Sequence, residues 1–296
     1  PDPSVREAAA GLLVDAPTPR LVDVLVRQLE VDYRPLHKTA RAALVATGQD
    51  SVPAMVALLD HRDARRREDA LYVLWKLKSD AGLTRQIALM KDADWGVVAM
   101  AARSLGAAGR PEAVPAVAEL AGSAMDAMKR ATEGAATGDP VSTGRMMEAI
   151  TQSIVACGKL GHRAVLPRLL PMLPDFEKTP GDFRAATCWL VGVTGDAQID
   201  AATCGQMFGL LSNPMDSEPV KFEAIKALGH LRYQPAAGTF ANWETEAILS
   251  SSPALRWISH WAHERITGTT TPYKPPVSQW TAETAIMDLP VRNGGG

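Results

Sequence analysis

The feature that most constrains this chain is a ladder of three residues, mostly small or apolar, each four positions after the last, which recurs along the whole sequence. Four-residue spacing places the three on one face of an α-helix, so each ladder marks a face that must be buried. The copies are Val5/Ala9/Leu13, Leu36/Ala40/Leu44, Arg66/Ala70/Leu74, Val97/Ala101/Leu105, Met146/Ile150/Ile154, Asp182/Ala186/Leu190, Val220/Ala224/Leu228 and Pro253/Trp257/Trp261. Their last members fall 31, 30, 31, 49, 36, 38 and 33 residues apart, so the first four keep a strict period and the later ones are padded by loops. A fixed period with helix–turn–helix content is the signature of a solenoid, whose units cannot bury their apolar faces alone and so stack. The predominance of Ala at the middle rung suits a place where neighbouring helices approach closely.

Val97–Gly122 shows the unit most clearly. Val97, Ala101 and Leu105 line one face of a first helix, extended by Ala102. Gly109 suits the left-handed residue that follows a helix end. Pro111 is tolerated in the first turn of a second helix, where its missing donor has no intrahelical partner. Val114, Val117, Ala118 and Leu120 are the expected apolar side of that second helix.

At VREAAAGLL, VVAMAARSLGAAGRPEAVPAVAEL and VKFEAIKALGHL the sequence resembles the HEAT-repeat superfamily, specifically the short bacterial repeats also seen in phycobilisome-lyase-type proteins. The resemblance spans roughly residues 1–268. It implies an all-α fold: an α-solenoid, wound as a right-handed superhelix, of about seven to eight helix pairs. RITGTTTPYKPPVSQW, residues 265–280, is similar to the tail that closes many bacterial HEAT proteins. Residues 269–296 are accordingly expected as an extended tail, because Pro272, Pro275 and Pro276 exclude a helix there. Tyr273 and Trp280 favour folding back on the last repeat, and the final glycines are expected to be disordered.

The 31 basic side chains nearly balance the 33 acidic ones, which argues against a strongly basic groove for non-specific nucleic-acid binding while leaving local patches open; no specific nucleic acid is expected as a partner. No run reaches the roughly 20 apolar residues of a membrane span, although peripheral association stays open. The chain begins at Pro1 without Met, so it is expected to be processed or truncated, with any export signal out of view; cytoplasm and periplasm both remain open for a soluble chain. Cys157, Cys188 and Cys204 follow no metal or haem spacing and read as buried structural thiols.

Candidate functional residues are few. On the second helix at 19–30, Asp23, Arg27 and Glu30 oppose Leu21, Leu25 and Leu29. The resemblance implies that second helices line a concave groove, whereas the residue pattern alone fits a solvated face. HRDARRRED, residues 61–69, carries Arg62, Arg65, Arg66 and Arg67. They suit a phosphate or an acidic partner, but Asp60, Asp63, Glu68 and Asp69 nearly cancel them. Trp75 and Trp95 read as core or rim packing. The longest interval marks an insertion at 123–145, expected as a helix to about Ala131 and then a flexible loop through Gly134, Gly138, Asp139, Pro140 and Gly144; Met125, Met128, Met146 and Met147 flank the loop and read as packing residues, and insertions in repeat proteins often occupy a binding face. Pro167, Pro171 and Pro174 predict a short or kinked second helix. His260 and His263 share a helical face, yet no further ligand stands at a matching spacing, and Trp257 and Trp261 read as rungs capping the core.

Enzyme classes built on HEAT-like repeats find no counterpart in the residues. Diiron hydroxylases of this fold use several His-Glu pairs, and here there is one, His263-Glu264. Trp95 beside Asp92 or Asp94 is the nearest approach to the aromatic-carboxylate arrangement of DNA glycosylases. The expectation is therefore a non-enzymatic protein–protein interaction scaffold or structural subunit of a larger bacterial complex, with no catalytic, cofactor or metal residues. Its partner-binding set is Asp23, Arg27, Glu30, Glu112, Glu119, Lys129, Arg130 and Asp139. The alternative is a lyase or chaperone-like subunit handling a tetrapyrrole or a modified protein.

Overall fold

The structure, a computed structural model, describes residues 2–126, 140–196, 200–243 and 252–270. Among them the regular elements are fifteen α-helices and short 3-10 turns, with no strand. The chain divides into two compact units, residues 1–120 with 134–160 and residues 121–133 with 161–296.

The first unit contains α1 (Pro3–Asp15), α2 (Val22–Gln28), α3 (Arg34–Ala46), α4 (Val52–Leu58), α5 (Ala64–Lys76), α6 (Leu83–Ala88) and α7 (Trp95–Ala108). Next comes α8 (Val114–Gly122), whose last two residues belong to the second unit, and then α9 (Pro140–Lys159). The first helices α1, α3, α5, α7 and α9 pack side by side in chain order. The shorter helices α2, α4 and α6 each pack on the first helix that follows them, giving two layers. The second unit contains α10 (Leu166–Leu169), α11 (Gly181–Thr194), α12 (Ala201–Leu210), α13 (Glu218–His230), α14 (Ala237–Trp243) and α15 (Pro253–Thr267). There α11 packs on α13 and α13 on α15, with α12 against α13 and α14 against α15. The fold is thus an all-α solenoid of HEAT-like helix pairs.

The ladders explain the core. Leu36, Ala40 and Leu44, then Ala70 and Leu74, then Val97, Ala101 and Leu105 are fully buried in the first unit, as are Ile150 and Ile154. Ala186, Leu190, Val220, Ala224 and Leu228 are fully buried in the second. Caps fix where these helices begin and end. Asp94 accepts hydrogen bonds from the N–H groups of Gly96 (2.7 Å) and Val97 (3.3 Å) at the start of α7. At its end Gly109 takes φ +70°, a left-handed conformation that L side chains adopt at a cost, and donates to the Leu105 carbonyl at 3.2 Å. Between α11 and α13 the small residues permit close contact: a Cβ on Gly192 would stand 2.8 Å from the Ala227 Cα.

The outer rungs depart from the sequence pattern. In α1 it is Ala10 that is buried, while Val5 is 60% exposed, Ala9 is exposed and Leu13 is half-buried. The helix has turned so that Ala10 faces α3, its packing neighbour. In α15 the buried ladder is Ala254/Ile258/Ala262, one residue on from the expected Pro253/Trp257/Trp261. Ala262 meets Gly229 at a separation that admits no larger side chain, since a Cβ on Gly229 would lie 2.9 Å from the Ala262 Cα. The tryptophans are therefore displaced to half-buried flanks, where Trp257 stacks on Phe222 and Trp261 meets His230 edge-on. Asp182 is exposed and Arg66 half-buried, in keeping with their charge, whereas the apolar Leu36, Val97 and Val220 at the same rung are fully buried.

Two further corrections concern α8 and the insertion. The buried stripe at α8 is Ala113, Val117 and Ala121; Val114, Ala118 and Leu120 are only half-buried. Residues 140–145, expected within the insertion's loop, form the first turns of α9, whereas residues 124–126 are helical as expected. The remainder of the insertion, residues 127–139, and the tail from residue 271 lie outside the described residues. As the prolines predict, α10 is four residues long and gives way to a 3-10 turn at Leu170–Met172.

Candidate functional site

Asp23 and Arg27 on α2, with Glu30 just beyond it, are all exposed, opposite buried Leu25 and Leu29 and half-buried Leu21. Glu30 pairs with Arg66 at 3.2 Å. Glu112, before α8, faces Arg110 at 3.6 Å, and Glu119 on α8 faces Lys91 at 3.6 Å. The last two pairs are exposed on both sides and contribute little stability, leaving their charges available to solvent. The two sets occupy different second helices. Lys129, Arg130 and Asp139 lie outside the described residues.

The arginine cluster before and within α5 is a set of ties between repeats. Arg65 reaches Asp32 at 2.7 Å. Arg67 grips Asp92 with two hydrogen bonds, 2.7 and 2.8 Å, and also donates to the carbonyls of His61 and Arg62. Such a planar two-point grip fixes direction as well as distance. Asp92 is thereby engaged in an ion pair and Asp94 in the α7 cap, so the residues beside Trp95 serve the fold. Asp69 is buried between His37 at 3.1 Å and Arg41 at 3.3 Å. Burial raises its pKa, opposed by Arg41 and His37. Burial likewise raises that of neighbouring Glu68, assisted by the Asp69 charge.

A feature missed in the sequence lies on the first helices of the same unit. Tyr72 and Trp75 on α5 meet edge to face, their centroids 5.6 Å apart at 73°. Arg41 from α3 sits 4.5 Å above the Tyr72 ring. Lys76 lies 4.1 Å from the Trp75 centroid and 5.8 Å from that of Tyr72. Arg103 from α7 reaches Trp75 at 5.7 Å and bonds Glu148 of α9 at 2.9 Å. A signal was present: Tyr72 and Arg103 stand at the same register, two residues after a middle rung. What pattern alone withheld was that Arg103 lies over Trp75 and Arg41 over Tyr72.

In the second unit the buried charges are paired. Arg184 engages both carboxylate oxygens of Asp216 and donates to the Leu173 carbonyl at 2.6 Å. Glu223 and Lys226, each 3% exposed, stand 3.4 Å apart on α13. Burial raises the Glu223 pKa to about 7 against the opposing pull of Lys226. His260 faces Glu264 at 3.4 Å. No group of three or more metal-binding side chains is found among the described residues. The three cysteines are buried free thiols. Desolvation pushes Cys157 up to about 12 and Cys204 up to about 11, and raises Cys188 as well, which leaves little thiolate for reaction. No helix among the described residues is long and apolar enough to cross a membrane.

Residues 52–136 match the family described as HEAT repeats. No curated protein matches the chain. Among solved structures, the complex of CpcE and CpcF of phycocyanin lyase from Nostoc sp. PCC7120 is similar, with a TM-score of 0.51 and 20% identity over 83% of this chain and 86% of that one. A designed armadillo repeat protein matches with a TM-score of 0.35 and 15% identity, covering 82% of this chain and 98% of that one. Stacked helices and ladder spacing make this chain an all-α repeat protein whose residues 52–136 match HEAT repeats, similar in fold to the phycocyanin lyase structure.

Proposed function

We propose that the chain is a non-enzymatic protein–protein interaction subunit of a larger assembly. Its partner docks on the second helices, taken to line the concave side, through Asp23, Arg27, Glu30, Glu112 and Glu119, and on the insertion at 123–145 with Lys129, Arg130 and Asp139. One observation carries this reading: the charged groups drawn into the fold, such as Asp92, Asp94, Asp200 and Asp216, are held in caps and ties, while the second helices keep exposed charge of both signs. A surface of that kind recognises protein through many modest contacts spread over several repeats. The Nostoc structure is itself a complex of two proteins, which motivates the search for a partner subunit.

The test is cross-linking in the source cells followed by purification of the intact assembly. A colourless stoichiometric protein partner, cross-linked near Glu30 or Glu119 and lost on Asp23→Lys plus Glu30→Lys substitution, is the expected result. A chain that purifies alone, or with a coloured tetrapyrrole in place of a protein, overturns the reading; the coloured product would instead favour a lyase-like subunit.

A further inference from the structure

The aromatic pair on α5 and the cations around it form a surface that the core does not require. Tyr72 and Trp75 are half-buried, Lys76 is exposed, and Arg41 and Arg103 come from the helices on either side, α3 and α7. Ring faces carry negative quadrupole charge, so cations settle over them and lose mobility there. Arg41 and Arg103 also have carboxylates, Asp69 and Glu148, at 3.3 and 2.9 Å. Lys76 differs. Its ammonium lies over both rings, and no carboxylate stands within ion-pair distance of it among the described residues. The charge is preorganised and uncompensated, next to ring edges that retain apolar area.

We infer that this face of the first helices, Arg41, Tyr72, Trp75, Lys76 and Arg103, is a docking surface for an acidic polypeptide segment that carries apolar residues beside its carboxylates. Charge complementarity selects that occupant. A basic segment would meet repulsion over rings already covered by cations. A nucleic-acid backbone needs several uncompensated cations along its path, and here Glu148 borders the strip while two of the three cations already have carboxylate partners. The inference rests on the reading of the chain as a partner-binding protein and adds a contact on a different face from the second helices.

The experiment is fluorescence anisotropy on the full chain with three labelled probes: a peptide of glutamates and leucines, its counterpart with lysines for glutamates, and a single-stranded oligothymidylate. The glutamate peptide is expected to bind most tightly and to weaken as salt rises. Lys76→Glu and Trp75→Leu should each weaken it by roughly tenfold, the equivalent of about 1.4 kcal/mol. Lys178→Glu, on an exposed lysine that stands over no ring among the described residues, should change it by less than about twofold. Lys76 is exposed, so its variant keeps the fold, which circular dichroism checks. Equal binding of the two peptides, tighter binding of the oligonucleotide, or equal effects of Lys76→Glu and Lys178→Glu would overturn the inference. A cross-linked partner found in the source cells would still uphold the proposed function in any of those cases.

Discussion

Replacing Gly192 by Ala sets two known effects against each other. In an open helical position the change removes backbone freedom from the unfolded chain and stabilises by about 1 kcal/mol. At Gly192 the new methyl would stand 2.8 Å from the Ala227 Cα and 2.9 Å from its Cβ. Carbon atoms rest at about 3.5 Å or more, so α11 and α13 would have to separate by about 0.7 Å along their shared contact. Backbone on the far side leaves no flexible side chain to yield. Overpacking of this kind costs about 1–3 kcal/mol, and here the larger end applies because two helices must move together. The net expectation is destabilisation by about 1–2 kcal/mol. Gly209 on α12 supplies the reference within the same unit, since nothing lies within 4 Å of a Cβ placed there. Gly209→Ala should therefore stabilise by about 0.5–1 kcal/mol. Urea unfolding followed by circular dichroism, with amide exchange on α11 and α13 to locate the change, measures both. Stabilisation by Gly192→Ala equal to that by Gly209→Ala would refute the close approach of the two helices.

Three other perturbations probe the core and its charges. Leu105→Asp places a carboxylate at a fully buried rung of α7 and should cost about 4 kcal/mol or more, seen as a lower melting temperature; a variant that melts like the parent would show the ladder to be misplaced. Arg184→Met strands the buried Asp216 carboxylate and should cost about 3–5 kcal/mol in urea unfolding. Adding Asp216→Leu should recover much of that loss, and a double variant no better than the single would contradict the account. Glu223 has its pKa raised from 4.5 to about 7, so between those values the folded protein holds a proton that the unfolded chain has released. Its contribution to stability is complete below about pH 4.5 and is lost as pH rises through about 7. Relative to Glu223→Gln, the parent should lose about 3 kcal/mol across that window, and parallel pH–stability profiles would rule this out.

The unequal legibility of the molecule has a physical basis in particular residues. Leu36, Ala40, Leu44, Ala101 and Leu228 are buried where four-residue spacing places them, because a helix fixes the angle between its own residues whatever surrounds it. Gly109 ends its helix for an equally local reason. Trp257 and Trp261 obey the same spacing and are nonetheless displaced, since the Gly229–Ala262 contact decides which flank of α15 turns inward. Among the candidate residues, exposure of Asp23, Arg27 and Glu30 follows from their own helix. The ring-and-cation surface does not: Arg41, the Tyr72–Trp75 pair and Arg103 come from three helices, and only packing brings each arginine within 4 to 6 Å of a ring.

The sequence by itself therefore determined the repeat, the first helices and most of the faces they bury, since periodicity within one helix is a property of the backbone. Tertiary structure alone decided which flanks of the outer helices turn inward, which carboxylate each arginine holds, and that Lys76 sits over two rings without one. Those outcomes depend on distances between separate helices, which are set by the side chains packed between them.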